Sequence, residues 1–156
     1  MKNVNLVRID DRLIHGQVMT AWMKVMPAKK IIIIDNKVAD DEFMISILEL
    51  AAPSGVKVQV LNEERALKEL QEEQKVPTFI LVKTPLTLKP LVDAGIPFEK
   101  INIGGMGLNA ERKTLYKNIA ATEDERKVLK EFLDKGIETS IHIIPSEKVI
   151  EIKNLL

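Results

Sequence analysis

Short runs of β-branched residues alternate along the chain with longer stretches in which apolar residues return every three or four positions, the pattern of repeated strand and helix units on a parallel sheet. Val4 to Ile9 (VNLVRI) predicts the first strand. Gly16 to Met26 carries Val18, Trp22 and Val25 at helical spacing and is stopped by Pro27. Lys30 to Asp35 (KIIIID) has no polar residue between its ends, as expected of a strand covered on both faces. Asp40 stands where it would cap a helix through Phe43, Ile47 and Leu50, which breaks at Pro53-Ser54-Gly55. Val56 to Leu61 then alternates as a strand, and Asn62 can cap the acidic helix ERALKELQEE. Thr78 to Val82 predicts a fourth strand, and Pro85 to Ala94 a helix closed by Gly95. Ile101 to Ile103 predicts a fifth strand, running into a loop at Gly104-Gly105-Met106-Gly107. Lys113 to Asn118 is polar and short, an edge-strand pattern. Thr122 begins a capping box (TEDE) for a helix to Lys135, ended by Gly136. Ile137 to Ile144 predicts the last strand, followed by a short C-terminal helix.

No linker, repeat or low-complexity tract interrupts this order, so residues 1–156 read as one domain, an open α/β sheet with helices on both faces. Ligands of such sheets bind where loops converge at the carboxyl ends of the strands. RIDDRLIHGQV, Arg8 to Val18, follows the first strand and NIGGMG the fifth, which places both on one edge.

Composition narrows the chemistry. Lys+Arg and Asp+Glu are 23 each, so no overall field favours nucleic acid or a membrane surface, and recognition must be local. The absence of cysteine excludes disulfides, thiolate zinc sites and thiol catalysis. Aromatic residues are only 4%, too few for base-stacking platforms. MKNVNLVRIDD resembles neither a signal peptide nor a membrane segment, and the expected compartment is the cytoplasm.

His15 is one of two histidines and sits among Asp10, Asp11, Arg12 and Gly16. With His15 and His142 the only histidines and no cysteine, a zinc site would have to be mostly carboxylate, and no serine lies in a nucleophile-elbow context. Phosphoryl chemistry fits the neighbours. Arg12 offers a permanent charge and a donor fork, and a helix starting at Gly16 would present the N–H groups of Gly16, Gln17 and Val18. Asp10 or Asp11 could orient the imidazole by accepting one of its N–H groups. The competing reading of the same residues is structural: Asp10 and Asp11 cap a helix, Arg12 pairs with them, and His15 is an exposed loop residue. For the second loop, Gly104 and Gly105 permit either close backbone approach or simply a strand end. Lys83 and Thr84, after the fourth strand, would bring donors to the same rim, or Lys83 is merely solvated. Arg112-Lys113 reads as surface charge, and His142 as a core or edge-strand residue.

At RIDDRLIHGQV the chain resembles the IIB subunit of the mannose/fructose/sorbose family of the phosphoenolpyruvate-dependent sugar phosphotransferase system. The likeness continues through AAPSGVKV, NIGGMG, the later KT and the GIE before the last strand, so it covers essentially the whole chain. It implies a single open, largely parallel sheet of about seven strands with helices on both faces. It also implies that His15 takes phosphate on Nδ1 from a IIA phosphohistidine, on a separate chain, and passes it to a hexose brought by the membrane subunits IIC and IID. The protein would then be a cytoplasmic transferase, peripherally associated with that membrane complex and without metal or other cofactor. Arg12 matches the family arginine that neutralises the phosphate. Asp10, Asp11, Gly16 and Gln17 match the rest of the active loop, with Arg8 expected in the phosphate loop beside Gly16 and Gln17, and Lys83, Thr84, Gly104, Gly105 and Met106 as candidate rim. A basic surface of Arg8, Arg12, Lys83 and Lys113 would receive the anionic donor. The alternative of a different class is a phosphohistidine module that signals by binding a regulator. A nucleotide-binding domain is a third, without a recognisable fingerprint.

Overall fold

The chain alternates in register along its strands, and a computed structural model describing residues 1–156 shows what each face of that alternation meets. Nine strands form: β1 (Val4–Asp10), β2 (Lys30–Ile34), β3 (Lys57–Leu61), β4 (Thr78–Val82), β5 (Lys100–Gly105), β6 (Lys113–Tyr116), β7 (Ile119–Ala121), β8 (Glu138–Ile141) and β9 (Ile150–Glu151). Six helices lie between them: α1 (Gly16–Val25), α2 (Asn36–Ala39), α3 (Glu42–Ala51), α4 (Glu63–Glu69), α5 (Pro85–Asp93) and α6 (Glu123–Asp134). Seven strands build one sheet in the order β3-β2-β4-β1-β5-β8-β9, parallel except for β9.

Successive residues point to opposite faces of a strand, which divides the core in two. Ile31 and Ile33 of β2, Phe79 and Leu81 of β4 and Leu6 of β1 pack under α1, α2 and α3 against Val18, Met19, Trp22, Val38 and Leu48. Ile32, Ile34, Ile80, Val82, Val7 and Ile9 pack on the other face with residues of α4, α5 and α6. Every one of these strand residues is buried, so the unbroken apolar runs of β2 and β4 are explained by helices on both sides. No helix is long and apolar enough to cross a membrane.

Local signals fixed most boundaries. Asn62 accepts from the Arg65 amide, Thr84 from that of Leu86, and Thr122 and Glu125 form a complete capping box. Gly95 and Gly136 close their helices at positive φ.

Four expectations are corrected. Asp40 caps nothing at its N-terminal side: Asp35 caps α2 and Asp41 caps α3, because a four-residue helix intervenes. Gly104 and Gly105 belong to β5 and not to a loop. Lys113–Tyr116 pairs with Ile119–Ala121 in a separate hairpin instead of edging the main sheet. The residues after β8 make the antiparallel edge strand β9, and no C-terminal helix forms.

Candidate active site

Arg8 and Asp10 fall on the same side of β1 as Leu6, so strand alternation alone drives two charges into the α1 face of the core. Both are almost fully buried, and they are held by neighbouring strands. Arg8 Nη1 donates to Asn102 Oδ1 at 2.7 Å and to the His142 carbonyl at 3.0 Å, while Nη2 donates to the Ile143 carbonyl at 3.0 Å and pairs with Asp10 at 3.3 Å. Its guanidinium carbon lies 5.7 Å from the Trp22 ring centroid, within cation–π range. Burial pushes Arg8 down to about 10 in spite of the Asp10 charge. Arg8 is therefore internal framework. It cannot form part of a phosphate-contacting loop or of a basic docking surface.

That framework explains the paired glycines. A methyl at Gly104 would overlap the Arg8 guanidinium, and one at Gly105 would stand 2.6 Å from Asp10 Oδ1. Both sequence readings are realised: the two glycines end β5, and side chains of the adjacent strand approach their backbone too closely for a Cβ.

The chain leaves β1 through a turn in which the Leu13 amide donates to the Asp10 carbonyl at 2.9 Å. Leu13 takes a left-handed conformation at φ 59, uncommon for a branched residue, and it is held there by being buried with Ile14. These two anchors leave His15 exposed at the N-cap of α1. The His15 side chain caps nothing, and the first-turn amides of Gly16, Gln17 and Val18 have no acceptor within the helix.

Asp10 accepts from the Arg12 amide and Nε, both at 3.0 Å, and from Nη2 at 2.9 Å. Burial opposes the Asp10 charge, but the Arg12 and Arg8 contacts outweigh it and hold the carboxyl below its ordinary range. The same contact raises Arg12, whose side chain is 45% exposed and whose Nη1 makes no bond within the chain. The structural reading was thus right about the Arg12–Asp10 pair and wrong about capping. Neither aspartate is bonded to His15. Asp10 is occupied by two arginines, and Asp11 Oδ2 accepts from the Gly107 amide at 2.8 Å and Arg112 Nη1 at 3.1 Å.

Arg112, read from sequence as surface charge, is instead the tie between three loops. Its side chain is 9% exposed and also donates from Nε and Nη2 to Glu125 at 2.9 and 2.8 Å and from Nη1 to the Gly107 carbonyl at 3.2 Å. Glu125 in turn accepts from the Thr84 hydroxyl at 2.7 Å, so Thr84 is a cap and a brace, with no free donor aimed at the rim. Burial works against the charges of Arg112 and Glu125; their mutual contacts prevail, raising one and lowering the other. A local signal for this fold-back exists, since the Asn109 side chain accepts from the amides of Glu111 and Arg112 in an Asx turn.

Met106 is fully buried in the larger core and leaves the candidate rim. Lys83 is half-buried directly after Val82, which pairs with Ile9, so it does stand on the carboxyl edge, without an ion pair. Lys113 is exposed at the start of β6. His142 is held by the Glu147 carbonyl at 2.9 Å, its ring edge-on to Trp22 at 4.9 Å.

A solvent-facing imidazole at an open helix start, an arginine with one unused donor beside it in the chain, and a braced floor suit transient binding of a tetrahedral anion. Comparison with known proteins gives the same direction. The family described as "PTS system sorbose subfamily IIB component" matches residues 4–156. The fructose-specific EIIB component of Bacillus subtilis is 33% identical over 94% of this chain and 91% of its own. Among solved structures, manxB of Thermoanaerobacter tengcongensis superposes with a TM-score of 0.85 at 43% identity, covering 94% of this chain and 90% of that one. The IIBSor domain of the sorbose permease of Klebsiella pneumoniae superposes at 0.89 with 33% identity, covering 99% and 95%.

Proposed function

The chain belongs to the sorbose-subfamily IIB components of the sugar phosphotransferase system, phosphotransferase components of sugar uptake, and from that premise we propose that His15 is its phosphoryl carrier. The observation that carries the assignment is the exposure of His15 at the uncapped start of α1, on the loop that also holds Arg12.

In the first step a lone pair of His15 Nδ1 attacks the phosphorus of a IIA phosphohistidine. The new N–P bond forms as the donor N–P bond breaks, and the donor imidazole leaves with the electron pair. Arg12 turns its free Nη1 to the phosphoryl oxygens while Asp10 holds the rest of the guanidinium. The first-turn amides and the positive end of α1 add neutral donors to the same group. In the second step a sugar hydroxyl attacks the phosphorus, the Nδ1–P bond breaks, and the hydroxyl proton passes to the released imidazole or to water. Gly16 and Gln17 border the group, and Asp11, tied to Gly107 and Arg112, fixes the loop without touching the reacting atoms. Relatives named for fructose and for sorbose stand at 33% identity alike, in keeping with selection of the hexose by the membrane subunits IIC and IID. The chain acts at the cytoplasmic side of that complex, with a IIA phosphohistidine as its donor.

The test is phosphorylation with phosphoenolpyruvate, the two general phosphotransferase proteins and a cognate IIA. An acid-labile, base-stable adduct is expected, mapping to the His15 peptide and absent from His15→Ala. An acid-labile label that survives on His142 overturns the assignment.

A further inference from the structure

Helix α3 turns the wrong face to water. Leu48 is its one buried residue, whereas Phe43 is 75% exposed, Ile47 42% and Leu50 87%. At spacings of four and three these form a single ridge along the outside of the helix. Isolated apolar residues on a surface need no explanation, but a continuous ridge bordered by charge marks an interaction site. The border is acidic: Asp40, Asp41, Glu42 and Glu49 are all exposed.

The ridge also leads to the histidine loop. The Ala51 carbonyl, one residue beyond Leu50, lies 3.8 Å from where a Cβ on Gly16 would stand. A shallow groove of about 470 Å³ between the two elements is bordered by Gly16, Gln17, Thr20, Lys24, Ala51 and Pro53.

Two macromolecules must reach a phosphoryl carrier, and their charges differ. The donor approaches with an anionic phosphohistidine, which the acidic border of α3 repels. The permease presents cytoplasmic loops, which in membrane proteins carry an excess of Lys and Arg. An apolar ridge edged with carboxylates is complementary to the second and not to the first. We propose that the outer face of α3, with Phe43, Ile47 and Leu50 at its centre, is the surface on which this chain docks to the basic cytoplasmic face of its membrane permease. This rests on the carrier reading of His15.

The experiment uses the full chain, purified IIA, and inverted membrane vesicles that contain IIC and IID but no IIB. Wild type, Leu50→Glu and Glu42→Lys/Glu49→Lys are compared for vesicle co-sedimentation, sugar phosphorylation from the prephosphorylated chain, and phosphate uptake from IIA. Leu50→Glu should weaken vesicle binding by about tenfold or more, in the range of a central interface residue. It should raise the concentration of chain needed for half-maximal sugar phosphorylation to the same degree, and leave uptake from IIA within about twofold. The charge reversal should weaken binding further at low salt than at high salt. Melting temperatures should not move, because the substituted positions are exposed. The proposal is overturned if Leu50→Glu slows uptake from IIA while vesicle binding holds, which would give the ridge to the donor. Loss of a homodimer with both transfers intact would give it to a second copy and overturn it equally, as would no change in any readout. Failure of wild-type His15 to accept phosphate from IIA is a separate result, and it removes the carrier reading itself.

Discussion

The loops after β1 and β5 meet at the candidate site, and each is organised by an arginine, but of opposite kinds. Arg12 grips a carboxylate two residues away, is 45% exposed and keeps Nη1 free. Arg112 reaches Asp11 across 101 positions, is 9% exposed, and has all three guanidinium nitrogens bonded. A guanidinium with one donor unused and room to move can meet an incoming phosphate. One with all three nitrogens committed to Glu125, Asp11 and the Gly107 carbonyl can only hold loops together. The contrast separates a group free to act on a substrate from a group that positions the loops, although both are arginines paired with an aspartate of the histidine loop.

Removing the floor that both loops share gives the largest expected effect. Gly104→Ala places a methyl within the Arg8 guanidinium, which has no other place inside its ring of carbonyls. Overpacking combined with a displaced buried charge should cost about 3 kcal/mol or more, read as a lowered urea midpoint. Gly107→Ala, whose added carbon would stand 3.4 Å from Asp11 Oδ2 at the exposed side, should cost less than about 1 kcal/mol. Equal costs would show that the polar floor is not close-packed.

The arginines themselves should separate next. Arg12→Gln should lower the rate of phosphoryl uptake from IIA by roughly a hundredfold, as loss of a positioned cation does, with the melting temperature within a few degrees. Arg112→Gln should behave in reverse. It leaves Glu125 and Asp11 without their partner and should cost about 2 kcal/mol, less than a fully enclosed pair because the cluster borders solvent. Its transfer rate, measured well below the melting temperature, should fall less than about tenfold. A hundredfold loss for Arg112→Gln at unchanged stability would place that guanidinium on the phosphate and collapse the distinction.

The difference between the arginines is also the difference between what the sequence makes legible and what it does not. The strands and helices follow from apolar period and capping chemistry, each readable within a few residues, as Asn62, Thr122 and Gly136 illustrate. His15, Arg12 and Asp10 lie in one heptad of the chain, and the Arg12–Asp10 pair is a local one. Arg112 acts mainly through Glu125 and Asp11, 13 and 101 positions away, so beyond the Asx turn at Asn109 only the topology that brings β1, β5 and α6 together exposes its role. Arg8 is an intermediate case. Its place on the Leu6 face of β1 follows from a period of two, but that a charge is tolerated there depends on Asn102 and the carbonyls of His142 and Ile143. The C-terminal strand β9 was unreadable for the same reason: two residues with no pattern of their own pair only because β8 leaves an open edge.

The smallest expected effect is a pH dependence that assigns part of this stability to the distant network. Burial favours neutral Glu125, but hydrogen bonds from Arg112, the Thr122 amide and Thr84 favour the carboxylate more, so its pKa is lowered from 4.5. A carboxyl lowered in the folded state adds stability that is complete above its unfolded value and is lost as pH falls through the folded one, because the unfolded chain then binds more protons. Asp10, lowered from 3.8, contributes in the same direction. The wild type should therefore lose stability as pH drops from about 5 toward 3. Glu125→Gln keeps the side-chain shape and an oxygen for the cap, since Gln also serves in a capping box, but removes the titrating charge. It should be less stable than wild type by about 1 kcal/mol at pH 7, with the gap narrowing as pH falls below the ordinary glutamate range, because the unfolded wild-type chain then takes up a proton that the native carboxylate resists. Urea unfolding of both proteins across that range measures the gap. A gap that stays constant with pH would mean that Glu125 braces the loops by shape alone, and that the Arg112 network owes nothing to its charge.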